Sequence, residues 1–533
     1  MLSSTKSNQF RPIPAARVDG VIILALLLAA GLLFGLQLGE LPLRDWDEGI
    51  VAQVARSIWQ SQPGEQRWLF PQLGSTPYLN KPTLLHTLIA GSFALAGETE
   101  AMARLPGAIL TALSVPLLYG IGRELFPRRL TAVFAALVYL TSLPVVRHGR
   151  LAMLDGAVLC FLCFLIWCAL RSRRDLRWAL GIGIGFGAIF LTKGILAILL
   201  VAIALIFLAW DTPRLLVTPY LWIGFALGSA PVAAWYIAQW LHYGDRVGGN
   251  LMHHSVRRIW DSVESNDGPP WYYLLEMLKY AWPWLIFLPQ GLRSIWENRH
   301  LSWARLLLAW YSIYFIAISV MGTKLPWYIL PIYPAFALVV GVQCDRIWQQ
   351  PPNSQVPRAW IFIIGCMALV GWAGIFYFSS SGPDPSPIMQ IAAIAIGITM
   401  TTTAILMHRS DRQFLPVLIW GSYVSLLLFV CSHSWIWELS AQYPVKPVAT
   451  ILRQQVPAQT MVYTTDENTR PSLDFYSQRP VEPATPDRIR EIWKQLPSPY
   501  LLSKPSDLEN LGLPETKPLG QAAGWILITR DEQ

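Results

Sequence analysis

Long apolar runs alternate with short polar segments along the first 433 residues, and the polar segments carry most of the charges. A membrane-spanning helix needs about 20 consecutive apolar residues. Runs near this length recur and predict an all-α polytopic membrane protein with about thirteen transmembrane helices. The predicted spans are residues 21–39, 105–122, 130–147, 151–170, 178–192, 195–210, 216–241, 272–291, 303–321, 325–343, 359–378, 387–407 and 413–433.

One further apolar run, from Pro82 to Gly97, is short for a span and contains His86. Lysine and arginine concentrate in the cytoplasmic loops of membrane proteins. The basic clusters that follow in the chain all fall on the cytoplasmic side only if this run does not cross the membrane. We therefore predict a juxtamembrane helix at the outer surface, a cytoplasmic N-terminus and an extracytoplasmic C-terminus.

The pattern of apolar positions changes near residue 438. The short runs TMVYTT, YLLS and WILITR are typical of strands, and DRIREIWKQL is typical of an amphipathic helix. The sequence thus predicts a transmembrane domain over residues 1–437, with a first outer loop at about 44–104, followed by a small extracytoplasmic α/β domain over residues 438–533.

Composition supports the membrane class. Hydrophobic residues make up 53% of the chain and charged residues 14%, whereas soluble proteins carry about 25% charged residues. The net charge of +8 comes from cations at the ends of predicted spans, a pattern typical of membrane topology and not of nucleic-acid binding. The first apolar run, Val21–Leu38, lacks a small-residue cleavage site, so we expect an uncleaved first span in a multi-pass inner (plasma) membrane protein.

The six cysteines lie in apolar stretches, and none has a histidine at metal-ligand spacing. They are therefore typical of small buried hydrophobic residues and not of a disulfide framework.

Charged residues near the outer ends of the predicted spans would gather on one face under this topology. Asp47 and Glu48 follow the first span, and Asp155 lies inside an apolar run, where a carboxylate is costly and needs a partner or a cavity. The basic residues expected near the same face are Lys81, Arg104, Arg147, Arg150, Lys193, Arg257, Arg258 and Lys324, with His253 and His254 nearby.

This combination of charges suits glycosyl transfer from a lipid phosphate. A carboxylate positions or deprotonates the acceptor, and the cations bind the departing phosphate. Simpler interpretations remain open at this point. Lys81 and Lys324 are also placed to extend toward lipid headgroups, and the adjacent acids Asp47 and Glu48 are also typical of a helix start. Adjacent histidines lack the spacing of a chelating pair.

A series of short motifs between about residues 20 and 345 carries a resemblance to a known family. In chain order the motifs are DE at Asp47, GSTPYLNKPTLLH around Lys81, ARLPG at Arg104, RLAMLDG at Asp155, LTKG at Lys193, HHSVRR at His254 and GTKLPWYILPIYPAFAL at Lys324. Together they resemble the GT-C superfamily of polyprenyl-phosphate-sugar glycosyltransferases. The greatest similarity is to its bacterial branch of lipid A aminoarabinose transferases and relatives of protein O-mannosyltransferases.

The resemblance implies a donor, an acceptor and roles for individual residues. The donor would be a polyprenyl-phosphate sugar of the undecaprenyl type, and the acceptor a lipid, glycan or protein outside the cytoplasm, with inversion at the anomeric carbon. The implied catalytic residues are Asp47, Glu48 and Asp155. The implied substrate-binding residues are Lys81, Arg104, Arg150, Lys193, His254, Arg257 and Lys324.

Two departures from the family pattern limit these implications. The branch often has a tyrosine shortly after the acid pair, where this chain has Ile50 and Val51. Aminoarabinose transferases carry a zinc-binding acid before the loop lysine, where this chain has Asn80, so that only His254 of the zinc pair remains. We therefore assign no resident metal or other cofactor, keep a divalent cation as an alternative, and assign neither the sugar nor the acceptor.

Two other classes of protein, a transporter and a membrane assembly protein, explain part of this pattern. A transporter or flippase of lipid-linked sugars would also need an outward charged cavity, but it more often has inverted repeats and broken helices at the membrane midplane. A membrane assembly protein would leave Asp155 and the Lys81 loop unexplained. The concentration of charge on one side favours the enzyme.

Overall fold

The computed structural model describes residues 15–251, 257–262, 266–351, 354–436 and 443–531, which are mainly helical. The helices are α1 (Ala15–Gly35), α2 (Asp47–Trp59), α3 (Leu84–Ala96), α4 (Glu100–Leu125), α5 (Arg129–Leu140), α6 (Leu143–Arg150), α7 (Asp155–Arg171), α8 (Leu180–Lys193), α9 (Leu196–Asp211), α10 (Pro219–Tyr243), α11 (Arg246–Leu251), α12 (Arg257–Trp260), α13 (Tyr272–Tyr280), α14 (Leu288–Glu297), α15 (Ser302–Val320), α16 (Tyr333–Gln349), α17 (Arg358–Tyr377), α18 (Pro387–His408), α19 (Phe414–Val430), α20 (Val445–Gln455), α21 (Pro471–Ser477), α22 (Pro486–Gln495) and α23 (Pro505–Leu511). The strands are β1 (Gln72–Leu73), β2 (Thr76–Pro77), β3 (Val462–Thr464), β4 (Val481–Pro483), β5 (Tyr500–Ser503), β6 (Thr516–Ala522) and β7 (Trp525–Arg530).

Eight helices in the described ranges are long and apolar enough to cross a membrane, or nine if the bent pair α5–α6 is one span. The polytopic membrane class predicted from sequence is thus confirmed. Three further predicted spans coincide with α7, α9 and α19, which are helices of 17, 16 and 17 residues. The total of about thirteen spans stays a prediction.

One predicted span, residues 272–291, is wrong as a single helix. The chain forms α13, a short 3-10 helix at Trp284–Phe287 and then α14. Pro283 lies in this interruption, and its ring removes the backbone N–H that a continuous helix would need. A hydropathy pattern averages over this single residue and does not detect the break.

Helices α8 and α10 come into close contact where their glycines face each other. A Cβ atom added to Gly183 of α8 would overlap the backbone carbonyl of Gly224 on α10. One added to Gly228 would likewise overlap the carbonyl of Gly183. Small residues at such crossings let two backbones come into van der Waals contact, which is the main source of helix association in a bilayer.

The final elements form a five-stranded mixed sheet in the order β4–β3–β5–β7–β6. β3 pairs in parallel with β4 and β5, and β7 pairs antiparallel with β5 and β6. Helices α20 to α23 occur between and beside these strands. This arrangement contains the strands and the helix that the sequence pattern predicts for the C-terminal region.

The C-terminal elements pack directly on α2. Gly49 of α2 lies so close to α21 that an added Cβ would be 2.7 Å from the backbone nitrogen of Ser472. The Arg56 guanidinium lies 3.9 Å from the ring centroid of Phe475. Asp45, just before α2, accepts a hydrogen bond from Arg470 at 3.0 Å. These contacts fix the position of the loop that carries Asp47.

Candidate active site

A cavity of about 700 Å³ lies between the start of α2, the start of α7 and the end of α8. It brings together four of the residues expected from the sequence, Asp47, Lys81, Asp155 and Lys193. The other lining residues are Trp46, Ile50, Val51, Tyr78, Asn80, Met153, Leu154, Arg258, Asn266, Leu325, Trp327, Tyr328 and Asn468. Acids and cations far apart in sequence therefore share one space.

Asp47 is the first residue of α2, where the helix dipole favours a negative side chain. Its Oδ2 accepts a hydrogen bond from the Arg44 guanidinium. Burial raises the pKa of Asp47, and nearby Asp155 and Glu48 add to the rise, although Arg44 opposes it. A carboxylate that lines a cavity and has a raised pKa is suited to accept a proton.

Asp155 and Lys193 form an ion pair across the cavity wall. Asp155 begins α7 and Lys193 ends α8, and their Oδ1 and Nζ atoms are 2.5 Å apart. The Nζ atom of Lys193 also lies 5.5 Å from the ring centroid of Tyr328. Asp155 lies within an apolar run, where a carboxylate is costly, and its carboxylate has both a partner and a cavity.

Lys81 lies in the loop between β2 and α3 and is half-buried. Within the described part of the chain its amine has no ion pair or hydrogen bond. Burial, together with the charges of Lys193 and Arg258, lowers the pKa of Lys81 to about 7. Three cations face one space that holds two acids, so the site attracts a further anion.

Arg258, and not Arg257, is the arginine of the HHSVRR motif that lines the cavity. Its Nη1 donates to the Tyr328 hydroxyl at 3.3 Å. The backbone of α12 is held by hydrogen bonds from Gly322 to Ile259 (2.9 Å) and from Thr323 to the Arg258 carbonyl (3.1 Å). Arg257 is exposed and pairs with Asp261 at 3.0 Å. The substrate-binding role expected for Arg257 stays a prediction, and its neighbour Arg258 is the arginine at the cavity wall.

Glu48 does not line the cavity and is completely buried. Its two oxygens accept from Arg104 at 2.8 and 2.9 Å, from the Arg44 backbone at 2.9 Å and from the Ala152 backbone at 2.8 Å. Although burial opposes it, the Arg104 guanidinium and these hydrogen bonds hold the pKa of Glu48 below its usual range. The catalytic role expected for Glu48 stays a prediction; in this structure its carboxylate oxygens are used by Arg104 and by two backbone amides.

Arg104 is equally buried, and its remaining donors go to the carbonyls of Leu38 (3.0 Å), Leu41 (2.8 Å) and Pro42 (2.9 Å). The substrate-binding role expected for Arg104 likewise stays a prediction, and its donors are all used within the protein. The pair instead ties the end of the first span to α2 and to the segment before α7.

Two more cations expected to bind substrate are used inside the protein. Arg150 donates to the carbonyls of Leu33 and Leu36, both at 2.7 Å. The Nζ atom of Lys324 donates to the carbonyls of Ile318 and Ser319 at the end of α15, at 3.0 and 2.6 Å, and to that of Met321, just after the helix, at 2.6 Å. Neither lines the cavity. His254, the remaining predicted ligand, lies outside the described residues.

A smaller and mainly apolar cavity of about 140 Å³ continues from the charged one. The two share Lys81, Asp155, Lys193, Arg258 and Tyr328. The other lining residues of the smaller cavity are Ile195, Leu196, Leu199, Ile259, Tyr314, Ile318, Met321 and Pro331. The cations therefore stand at a boundary between a polar space and an apolar one, as a lipid phosphate requires.

The described residues do not form a metal site. The described residues contain no group of three or more histidine, cysteine, aspartate or glutamate side chains suited to a metal ion. Asn80, which replaces the zinc-binding acid of the family pattern, accepts a hydrogen bond from Asn250 at 3.3 Å. We therefore derive no step through a metal.

Comparisons with known proteins identify the family and the fold. Residues 80–237 match the family model described as dolichyl-phosphate-mannose-protein mannosyltransferase. The fold is similar to ArnT from Cupriavidus metallidurans bound to undecaprenyl phosphate, with a TM-score of 0.77, 18% identity and coverage of 97% of this chain and 100% of that one. An archaeal oligosaccharyltransferase, AglB from Archaeoglobus fulgidus, is more distant, with a TM-score of 0.51, 11% identity and coverage of 92% and 69%.

The fold and the charged cavity define a membrane glycosyltransferase that takes its sugar from a polyprenyl-phosphate donor. The undecaprenyl phosphate-alpha-4-amino-4-deoxy-L-arabinose arabinosyl transferase 1 of Pseudomonas fluorescens is 30% identical over 417 residues, which cover 76% of this chain and 74% of that relative. The chain belongs to this aminoarabinose transferase family. A second relative, from Pectobacterium carotovorum, is 31% identical over 59% of this chain and 58% of its own length.

Donor binding is expected to weaken as the pH rises above about 7. Lys81 is expected to bind phosphate in its protonated form, and its pKa in the free protein is about 7. A bound phosphodiester raises that pKa, so binding takes up a proton, and affinity falls by up to about tenfold per pH unit between the free and bound pKa values. Titration of a polyprenyl phosphodiester between about pH 6 and pH 9 measures this. Lys81→Arg stays charged and should bind with a flat profile, whereas a flat profile in the wild type would contradict the expectation.

Proposed function

We propose that this protein transfers a sugar from an undecaprenyl-type phosphate donor to an acceptor hydroxyl or amine outside the cytoplasm, with inversion at the anomeric carbon. The observation that carries the proposal is the shared lining of the two cavities. Asp47 faces the polar cavity, while Lys81, Lys193 and Arg258 stand where it meets the apolar one.

The donor phosphate would sit at this boundary. Lys81 and Arg258 neutralise its charge, and the first isoprene units enter the apolar cavity lined by Leu196 and Ile318. Lys193 is already held by Asp155, so the carboxylate positions a cation for the phosphate and does not act as the base. The sugar then extends into the larger cavity toward Asp47.

The reaction is a single displacement. Asp47 accepts the proton of the acceptor, whose oxygen or nitrogen attacks the anomeric carbon. The bond from that carbon to the phosphate oxygen breaks, and polyprenyl phosphate leaves as an anion against the three cations. Stabilising charge that develops on a leaving group is among the largest contributions an enzyme can make.

The membrane arrangement belongs to the same proposal. About thirteen spans, with a cytoplasmic N-terminus, would place the cavity and the C-terminal α/β domain on the outer side. Asn468, from the segment before α21, lines the cavity, and Trp46 donates to the Thr469 carbonyl at 3.0 Å. The C-terminal domain would therefore cover the acceptor side of the site.

The test is transfer of radiolabelled sugar by the purified full chain in proteoliposomes. A panel of undecaprenyl-phosphate sugars, including 4-amino-4-deoxy-L-arabinose, would be offered with bacterial membranes as acceptor. Label that moves into lipid, glycan or protein supports the proposal and identifies the acceptor class. Movement of labelled donor across the bilayer without transfer from any donor would replace it with a flippase.

A matched pair of arginine variants tests the phosphate site. Arg258→Gln is expected to weaken donor binding by about 10- to 100-fold, because a charge-assisted hydrogen bond contributes about 1.5–3 kcal/mol. Arg257→Gln removes only an exposed ion pair with Asp261, and donor affinity should stay within about twofold. Equilibrium binding of a polyprenyl phosphodiester measures both, and equal effects of the two changes would contradict the assignment.

A further inference from the structure

Trp46, the residue before Asp47, has a backbone conformation that bulky residues seldom adopt. Its φ and ψ angles are 60° and −59°, and the Asp47 amide donates to the Asp45 carbonyl at 2.7 Å. These values define a three-residue γ-turn of the rare, strained type with positive φ. Strained turns persist only where the surrounding structure enforces them, and they concentrate at functional sites. The contacts that enforce this turn therefore bear on the position of Asp47.

The C-terminal domain holds the first residue of the turn by its side chain. Nη1 of Arg470 donates to Oδ2 of Asp45 at 3.0 Å. The backbone amide of Ser472 donates to Oδ1 of Asp45 at 3.2 Å, and the Ser472 hydroxyl donates to the same oxygen. Both carboxylate oxygens of Asp45 thus accept hydrogen bonds from one short segment of the C-terminal domain.

The same segment also holds Trp46 itself. The indole Nε1 donates to the Thr469 carbonyl at 3.0 Å, and the Arg470 guanidinium lies 5.9 Å from the centroid of the indole ring. Trp46 is 49% exposed, so the turn is not fixed by burial of this side chain in a core. The polar contacts with the C-terminal domain are what remain to enforce the positive φ.

Arg470 is itself held in place for this contact. Its Nε donates to Oδ2 of Asp466 at 2.6 Å, and its guanidinium lies 4.0 Å from the ring centroid of Tyr443. Asp466 also accepts a hydrogen bond from the Asn468 amide at 3.1 Å, which orders the segment between them. Arg470 therefore joins an acid of its own domain to Asp45, two residues before the candidate base.

We propose that Arg470 is a positioning residue for sugar transfer, which holds the Trp46 turn through Asp45 and thereby directs Asp47 into the cavity. This inference rests on the proposed role of Asp47 as the base. Without the contact from Arg470 the turn relaxes toward an unstrained φ, and the start of α2 shifts with it. The C-terminal domain then contributes to catalysis by fixing the base, in addition to covering the acceptor side.

The test is sugar transfer by the full-length Arg470→Gln variant in proteoliposomes, beside equilibrium binding of a polyprenyl phosphodiester. We expect kcat to fall by about 10- to 100-fold, because a misplacement of about 1 Å at a catalytic group can cost about 10²-fold. Affinity for the phosphodiester should stay within about twofold, since Arg470 lines neither cavity of the candidate active site. Expressing kcat per phosphodiester-binding site removes any contribution from unfolded protein.

Arg479→Gln is the matched control within the same domain. Arg479 donates to the Val456 carbonyl at 2.9 and 2.8 Å, and none of its described partners belongs to the loop at 44–47. Its loss should destabilise the C-terminal domain without touching the Trp46 turn. The variant should therefore keep the wild-type kcat per phosphodiester-binding site.

A second pair of variants tests the strained turn directly. Trp46→Gly and Trp46→Ala both remove the indole, and they differ only in the Cβ atom. Because glycine adopts a positive φ without strain, kcat per binding site should be about fivefold higher in Trp46→Gly than in Trp46→Ala. Equal kcat values in these two variants would contradict a role for the turn.

The outcomes separate this inference from the proposed function. If the wild type transfers sugar and Asp47→Asn does not, a normal kcat in Arg470→Gln, or an equal loss in Arg479→Gln, would overturn the positioning role alone. If the wild type transfers no sugar from any donor, or Asp47→Asn transfers normally, the proposed function or its base fails, and the positioning role fails with it.

Discussion

Replacing Asp47 with asparagine should lower sugar transfer by about 10²- to 10⁴-fold, the range that a positioned general base contributes. The change keeps the shape of the side chain and removes its ability to take a proton. Donor affinity should stay within about twofold, because the proposed phosphate ligands, Lys81 and Arg258, lie where the two cavities meet, whereas Asp47 lines only the larger one. Single-turnover transfer from labelled donor, measured beside equilibrium binding, separates the two effects.

The wild-type pH profile adds a second readout for the same carboxylate. Because burial raises the pKa of Asp47, the acid limb of kcat/KM should lie above the ordinary aspartate value of 3.8 and should disappear in Asp47→Asn. Asp261→Asn is the matched control, since Asp261 is an exposed acid paired with Arg257 and lines neither donor cavity. Unchanged transfer in Asp47→Asn would remove this residue from the mechanism.

The membrane architecture could be predicted from sequence because apolar length is a local property. Helices α1, α4, α10, α17 and α18 coincide with predicted spans to within a few residues. The prediction failed at 272–291, where Pro283 interrupts the helix without changing the average hydropathy. The length of an apolar run therefore predicts the position of a membrane segment better than it predicts whether that segment is one continuous helix.

The site could be predicted only in part, because hydropathy treats every charge near a span end alike. Asp47, Lys81, Asp155 and Lys193 do meet in one cavity. Arg104 occurs in the same sequence context, but its donors are used by partners 56 to 66 residues away in the chain. Which cation is free for a substrate depends on tertiary partners that no local pattern contains.

Arg257 and Arg258 show that the sequence also does not tell which of two adjacent side chains faces the cavity. Successive side chains on a helix point about 100° apart, so α12 directs Arg258 to the cavity and Arg257 to solvent. The position of Asn468 in the cavity wall is harder still to predict from sequence, because Asn468 lies in the C-terminal region, about 400 residues after Asp47. No signal in its neighbourhood distinguishes Asn468 from an ordinary loop residue.

Replacing Glu48 with glutamine should lower activity by destabilising the protein. Asp47→Asn, in contrast, should lower activity by removing the group that accepts the proton. The Glu48 change leaves the buried Arg104 guanidinium without its counter-ion, and breaking a buried pair on one side costs about 3–5 kcal/mol. Asp47, the neighbour of Glu48 in the chain, and Lys81 line the same cavity, so donor binding and transfer should fall together. Thermal unfolding of the solubilised protein should show a large loss of stability, whereas Asp47→Asn should melt like the wild type.

The double variant Glu48→Gln/Arg104→Gln distinguishes an unpaired charge from a lost hydrogen-bond acceptor. Removing both charges should recover part of the lost stability, because the largest penalty of the single change is the isolated guanidinium. Recovery should be incomplete, since the carbonyls of Leu38, Leu41 and Pro42 also depend on Arg104. A Glu48→Gln protein that melts normally, binds donor and does not transfer sugar would return Glu48 to the chemistry. The two adjacent acids would then share the role that the geometry gives to Asp47 alone.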